Sequence, residues 1–192
     1  MAWYEDMIPW QYTKQWNQLK NSVETPVCTG EDIYLLDGFK DLIDTESVSI
    51  IHPDLATSGG ILETKKIGDY AQEKGIPMAL HQAGSPVVAM ANVHCAAATE
   101  GFIALEMHSV DNPWWDDLVS GETDKIINNG FVKVPESPGL GIELNEDAVE
   151  KHLNTNASGF AGKGPSMDIY PKGAFESTEE WDRLDAHDRT WS

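Results

Sequence analysis

The sequence predicts a partial (β/α) barrel of the TIM type, in which parallel strands alternate with helices. Over residues 1–106, five short apolar runs recur at intervals of about 25 residues, and the stretches between them have helical spacing. Each apolar run also ends beside a carboxylate or an imidazole. A doubly wound sheet would spread these groups along an edge of roughly 20 Å. A barrel brings its strand ends to one axis, so the sequence favours the barrel.

The elements follow one another in a regular order. The predicted strands are Ala2–Tyr4, Pro26–Gly30, Val48–Ile51, Pro77–Leu80 and Phe102–Leu105. Three of the intervening helices are indicated by apolar residues three and four apart, and the fourth by a continuous apolar segment. Their marker residues are Trp16, Leu19 and Val23; Phe39, Leu42 and Ile43; Ile67, Tyr70 and Ala71; and Val87–Ala98.

Two glutamates end the first two strands and predict a metal site. Glu5 and Glu31 are one βα unit apart, so their carboxylates would converge and repel each other unless a cation lay between them. Oxygen-only ligation suits Mg²⁺. The alternative, a pair of solvated acids, stays open in so acidic a chain.

The next three strands end in groups that suit proton transfer. Asp54 and His81 follow neighbouring strands, and a carboxylate beside an imidazole fixes its tautomer and raises its pKa. A purely structural Asp–His hydrogen bond is the alternative. Glu106 follows the fifth strand and could donate a hydrogen bond to developing negative charge only if protonated, which burial among other carboxylates favours. By contrast, His52 precedes a proline and is interpreted as a packing residue.

Charge and composition restrict the partners and the compartment. The chain carries 32 acidic and 13 basic side chains, a net charge of −19, which argues against nucleic acid and anionic membrane surfaces. Two cysteines form no disulfide framework, and the sequence shows no leader and no membrane-length apolar run. We therefore expect a cytoplasmic protein that binds neither nucleic acid nor membranes.

Six segments match motifs of a known family: EDMIP at Glu5, TGED around Glu31, HPDLATSGG around Asp54, ALH ending in His81, ALEMH around Glu106, and VPESPGLGIELNEDAV over residues 134–149. The first five resemble motifs of the enolase superfamily, and within it the mandelate racemase subgroup and its galactonate dehydratase-like sugar-acid dehydratases. The sixth resembles the C-terminal signature of that group.

The resemblance implies a role for each site residue. Glu5 and Glu31 would be the second and third Mg²⁺ ligands, at barrel strands four and five. Asp54 and His81 would be the dyad of strands six and seven, and Glu106 the strand-eight acid that hydrogen-bonds the enediolate. In a dehydratase, His81 would protonate a departing 3-hydroxyl, leaving an enol that becomes a 2-keto-3-deoxy acid. In a racemase or epimerase, the same dyad would move the α-proton.

The chain is too short for the whole enzyme that the resemblance implies. A complete barrel needs about 250 residues, so we expect residues 1–106 to form the C-terminal part of one, about strands four to eight. Residues 107–192 would be an irregular extension that packs on a capping domain. That domain and the first metal ligand would both be encoded upstream. We expect a homo-oligomer at full length and little activity from this chain alone. A non-catalytic half-barrel that needs a partner chain remains the alternative.

Overall fold

The computed structural model describes residues 1–108, 112–121 and 125–152. The chain divides into two compact units, Met1–Leu144 and Asn145–Ser192. In the second unit the described part is a short helix capped by Asn145, whose side chain accepts a hydrogen bond from the Ala148 amide. Residues 109–111, 122–124 and 153–192 of the predicted extension lie outside the described residues.

The first unit is built on a five-stranded parallel sheet whose strands lie in chain order. Parallel neighbours need a crossover between them, and the predicted helices provide it. The strands are β1 (Tyr4–Glu5), β2 (Val27–Thr29), β3 (Ile50–Ile51), β4 (Met78–Leu80) and β5 (Phe102–Leu105). All five lie within or directly beside the predicted runs, and β5 matches its prediction at both ends.

In the part of the chain that the structure describes, five α-helices accompany the sheet and a sixth lies in the second unit. The four predicted helices are present, and one short helix after β3 was not predicted. Val23 lies outside the first helix, which ends at Lys20. The helices are α1 (Thr13–Lys20), α2 (Leu35–Asp44), α3 (Leu55–Ser58), α4 (Gly60–Glu73), α5 (Pro86–Ala98) and α6 (Glu146–Lys151).

The two faces of the sheet carry different clusters, because successive side chains of a strand point to opposite sides. The face towards the helices contributes Val27, Ile51 and Met78 to a large core with residues such as Trp16 and Phe39. The opposite face carries a smaller cluster, which we call the inner layer: Cys28, Ile50 and Ala79, with Trp3 and Ala104 packed against them. Each residue that follows one of these inner-layer residues by two positions, at the carboxyl end of its strand, points to the inner side as well.

The sheet is strongly curved, as a barrel requires. Glu5 at the end of β1 and Glu106 just after β5 both approach Nε2 of His52, at 3.5 and 3.1 Å. In a flat sheet, β1 and β5 would be roughly 19 Å apart at about 4.8 Å per strand. The curvature therefore confirms the prediction of a partial (β/α) barrel over that of an open sheet.

Short antiparallel strands follow the sheet and pack on α5. They form two pairs, β6 (Val119–Gly121) with β9 (Ile142–Leu144), and β7 (Ile127–Asn128) with β8 (Phe131–Val132). Their cluster with α5 contains Ala89, Met90, Val93, Trp115 and Ile126.

Both cysteines are buried and free. Among the described residues, no helix has the length and apolar character to cross a membrane.

Gly30 allows the chain to turn from β2 towards the site. Its φ is +150°, and a Cβ there would lie 2.9 Å from backbone atoms of His52. We predict that Gly30→Ala lowers the free energy of unfolding by about 2–4 kcal/mol, measured by urea denaturation, because both strain and overlap oppose the methyl group.

Gly101→Ala is the matched control, since its Cβ would meet Gln72 at an ordinary 3.5 Å. Equal losses of stability in the two variants would contradict the close approach of β2 and β3.

Candidate active site

Asp54 holds His81 in a single orientation. The Asp54 Oδ2 accepts a hydrogen bond from Nδ1 of His81 at 2.7 Å, while its Oδ1 caps α3 by accepting from the Ala56 amide at 2.7 Å. Both side chains are buried, and the two residues also form a parallel β-bridge. With its Nδ1 proton committed to Asp54, His81 presents Nε2 to the centre of the site.

Carboxylates surround the free nitrogen of His81. Glu31 Oε2 lies 2.8 Å from Nε2, and Glu106 Oε2 lies 3.7 Å from it. Burial acts to lower the pKa of His81, but the hydrogen bond to Asp54 and the charge of Glu31 outweigh it. The charges of Asp54 and Glu106 act in the same direction, so the pKa of His81 is raised above its ordinary value. The imidazolium form is therefore favoured.

Three acidic residues lie together at the ends of β1 and β2. Glu5, Asp6 and Glu31 each place a carboxylate oxygen within 4.8 Å of the other two. Trp3 Nε1 donates to Glu5 Oε2 at 3.0 Å, and Thr29 Oγ1 donates to Asp6 Oδ1 at 2.6 Å, so two of the three are oriented by neighbours. The sequence predicted Glu5 and Glu31 as members of this group but not Asp6, which turns inward through a backbone φ of 46°.

This donor set fits a hard divalent cation. Burial raises the pKa of Glu31, His81 partly opposes that shift, and the nearby charges of Asp6, Asp32 and Glu5 raise it further. Burial likewise raises the pKa of Asp6, although its hydrogen bond from Thr29 acts against the shift. Like charges held this close favour a cation between them, and three carboxylate oxygens suit Mg²⁺-type ligation. Glu5, Asp6 and Glu31 are thus the residues that could hold a metal.

The surroundings of Glu106 favour its carboxylate form, whereas a hydrogen bond donated to an enediolate would need the protonated form. His108 Nε2 lies 2.7 Å from Glu106 Oε1, and His52 Nε2 lies 3.1 Å from Oε2. Burial acts to raise the pKa of Glu106, but these two hydrogen bonds and the charges of the nearby imidazoles lower it overall. In this state Glu106 accepts hydrogen bonds from both sides and donates none.

His52 is a site residue, and its interpretation as a packing residue was wrong. It is fully buried, and its Nδ1 lies 3.2 Å from the Ala79 carbonyl oxygen. A carbonyl oxygen only accepts, so Nδ1 carries a proton and Nε2 faces Glu106 and Glu5. The signal was available: His52 follows Ile50 by two residues, as His81 follows Ala79, so both point inward.

The predicted site residues therefore lie together at one end of the sheet. Glu31, Asp54 and Glu106 surround His81, while Glu5 and Glu106 meet at His52. The structure also places His108 over the group, with its ring centroid 5.3 Å from that of His81.

Comparison with known proteins identifies the family. Residues 1–148 match the model of the enolase C-terminal domain-like family, and the chain belongs to that family. Its curated relatives include D-xylonate dehydratase from Haloferax volcanii, which is 42% identical over 151 residues, covering 79% of this chain and 36% of that protein. Another is D-gluconate/D-galactonate dehydratase from Picrophilus torridus, 34% identical over 148 residues, covering 77% of this chain and 37% of that protein.

Solved structures agree with this assignment. A mandelate racemase/muconate lactonizing enzyme-like protein from Rubrobacter xylanophilus superposes with a TM-score of 0.76 at 36% identity, covering 78% of this chain and 38% of that one. The chain thus spans between a third and two fifths of the length of these relatives. The predicted resemblance to the enolase superfamily and its sugar-acid dehydratases is confirmed, as is the prediction that the chain corresponds to part of a longer enzyme.

The raised pKa of His81 gives a testable pH dependence. In the metal-free chain, we predict that His81 keeps its proton above the ordinary imidazole pKa of 6.5. Its contribution to stability is then complete below that pH and is lost as the pH rises through the folded-state pKa.

Asp54→Asn removes the charge of the carboxylate but keeps an oxygen to cap α3, so it should lower the pKa of His81 in an NMR titration.

Asp41→Asn, at an exposed position of α2, serves as the control. Identical His81 titrations in the parent and in Asp54→Asn would show that the dyad does not set the charge of the imidazole.

Proposed function

We propose that this chain forms part of a Mg²⁺-dependent dehydratase of a sugar acid, an aldonate or aldarate. The observation that carries the proposal is the arrangement around His81, whose Nε2 faces Glu31 and Glu106 while Asp54 holds Nδ1. The relatives named above are dehydratases of D-xylonate and of D-gluconate and D-galactonate. Because the chain matches only part of their length, the rest of the site would come from elsewhere in the enzyme.

The metal would be held by the carboxylates of β1 and β2. Glu5 and Glu31 are the ligands predicted from the sequence, and Asp6 lies close enough to add a third oxygen. Bound there, Mg²⁺ would bind the substrate carboxylate and make the proton on the adjacent carbon more acidic. The substrate would thereby be placed beside His81, because Glu31 contacts that imidazole directly.

In this proposal His81 is the proton donor of the dehydration. Its raised pKa favours the protonated form of Nε2, and the hydrogen bond to Asp54 prevents the ring from turning away. A base from the remainder of the enzyme takes the proton on C2, and that electron pair forms the C2–C3 double bond. The C3–O bond breaks as His81 delivers its proton to the leaving hydroxyl, which departs as water. The enol that remains becomes the 2-keto-3-deoxy acid.

Glu106 acts in this scheme through its charge on His81. As a carboxylate 3.7 Å from Nε2, it favours the imidazolium that donates the proton. The role implied by the resemblance, a hydrogen bond donated to an enediolate, would require Glu106 to be protonated. Glu106 is thus proposed as catalytic together with Asp54 and His81.

The proposal also includes the substrate class, compartment and oligomeric state that we expected before the structure was considered. The net charge of −19 favours a small-molecule substrate over nucleic acid. We place the complete enzyme in the cytoplasm as a homo-oligomer. The 192-residue chain alone is expected to have little or no activity, because it forms only part of a barrel.

A chimera tests the proposed activity. Residues 1–148 would replace the matching segment of the Haloferax volcanii D-xylonate dehydratase, and keto-acid formation from an aldonate and aldarate panel would be measured with Mg²⁺. We expect activity in the chimera and a loss of at least about 10³-fold in Glu31→Gln and in His81→Asn, since each removes a group in direct contact with the reaction. Glu73→Gln, exposed on α4, is the matched control and should leave the rate unchanged.

Three outcomes separate the alternatives. Exchange of the α-proton in D₂O without keto acid would favour the racemase or epimerase. A folded, Mg²⁺-binding chimera with neither reaction would contradict catalysis and favour the non-catalytic half-barrel. Activity that survives His81→Asn would show that His81 is not the proton donor.

A further inference from the structure

His108 joins His81 and Glu106 in a group whose donor atoms differ from those of the carboxylate site. One ring nitrogen of His81, one of His108 and a carboxylate oxygen of Glu106 all lie within 4.8 Å of one another. His108 Nε2 is 2.7 Å from Glu106 Oε1, and His81 Nε2 is 3.7 Å from Glu106 Oε2. The two imidazole rings are arranged edge to face. His108 has no part in the dehydration as proposed.

We propose that His81, Glu106 and His108 form a second metal site, selective for Zn²⁺ and similar borderline divalent cations over Mg²⁺. Two imidazole nitrogens with one carboxylate oxygen are a ligand set that Zn²⁺ prefers, whereas Mg²⁺ prefers oxygen alone. The site adjoins the Glu5, Asp6 and Glu31 carboxylates but uses none of them as a ligand.

The geometry needs little change to accept the ion. With bonds of about 2.0–2.2 Å, ligands of a tetrahedral Zn²⁺ are about 3.4 Å apart. His108 Nε2 lies 2.7 Å from Oε1 of Glu106 and His81 Nε2 lies 3.7 Å from Oε2, so the distances to the two carboxylate oxygens lie on either side of that value. The His108 side chain is 53% exposed, so it can adjust and leaves a fourth position open to a water molecule.

Asp54 prepares His81 for this second role. A metal-binding histidine usually donates its other N–H to a carboxylate, which fixes the ring and makes the ligating nitrogen more basic. His81 has this arrangement, with Nδ1 2.7 Å from Asp54 Oδ2 and Nε2 directed at the site. The arrangement that orients the proton donor therefore also orients a zinc ligand.

Occupancy of the second site would stop the dehydration. The cation takes the place of the proton on His81 Nε2, so His81 could no longer protonate a leaving hydroxyl. This consequence rests on the proposed function, whereas the binding itself does not. Zinc would act at the acid–base group and not by displacing Mg²⁺ from the carboxylates.

Cobalt spectroscopy of the 192-residue chain tests the binding. Co²⁺ reports tetrahedral nitrogen ligation by intense visible absorption, and saturating Mg²⁺ would first fill the carboxylate site. We expect one Co²⁺ per chain, displaced by one equivalent of Zn²⁺, and at least about tenfold weaker binding in His108→Ala. His152→Ala removes the imidazole that directly follows α6 instead and should bind Co²⁺ like the parent.

His108→Ala is the decisive variant, because its half-exposed side chain can be removed without opening the core. Circular dichroism would verify that the variant keeps the parent fold. No visible absorption in the presence of Mg²⁺, or undiminished affinity in His108→Ala, would overturn the proposal. Neither result would affect the dehydratase assay, so the two proposals fail separately.

Discussion

The site depends on two buried imidazoles whose Nδ1 atoms are already hydrogen-bonded. His81 donates from Nδ1 to Asp54, and His52 donates from Nδ1 to the Ala79 carbonyl. Each ring must then direct Nε2 at carboxylates, Glu31 for one and Glu106 for the other. A proton or a cation has to lie at each of these contacts, because two acceptors facing each other at low dielectric are unfavourable.

This constraint links the fold to the chemistry. His52 can reach the carboxylates of both β1 and β5 only because the sheet is curved, and curvature brings more negative charge to the axis than the imidazoles can neutralise. The excess charge has two consequences. It raises the pKa of His81, as a proton donor requires, and it crowds Glu5, Asp6 and Glu31 into an arrangement that favours a divalent cation.

Much of this arrangement could be read from the sequence, since strand ends in a barrel converge whatever lies between them. The period of the apolar runs located every strand of the sheet and placed Glu5, Glu31, Asp54, His81 and Glu106 at their ends. His52 was missed although the alternation of β3 points it inward. The inward turn of Asp6 depends on a positive φ, and the lowered pKa of Glu106 depends on its hydrogen bonds with His52 and His108. Such effects arise from tertiary contacts and leave no local pattern.

Paramagnetic broadening by Mn²⁺ tests most directly whether the carboxylates and imidazoles share one centre. Mn²⁺ takes the same oxygen ligands as Mg²⁺, and the histidine ring signals of the 192-residue chain report their distance from it. If Glu5, Asp6 and Glu31 bind the ion beside His81 and His52, these two signals broaden at a lower Mn²⁺ ratio than that of His94, which hydrogen-bonds to Leu140 from α5. Broadening of all three together, or of His94 first, would contradict the common centre.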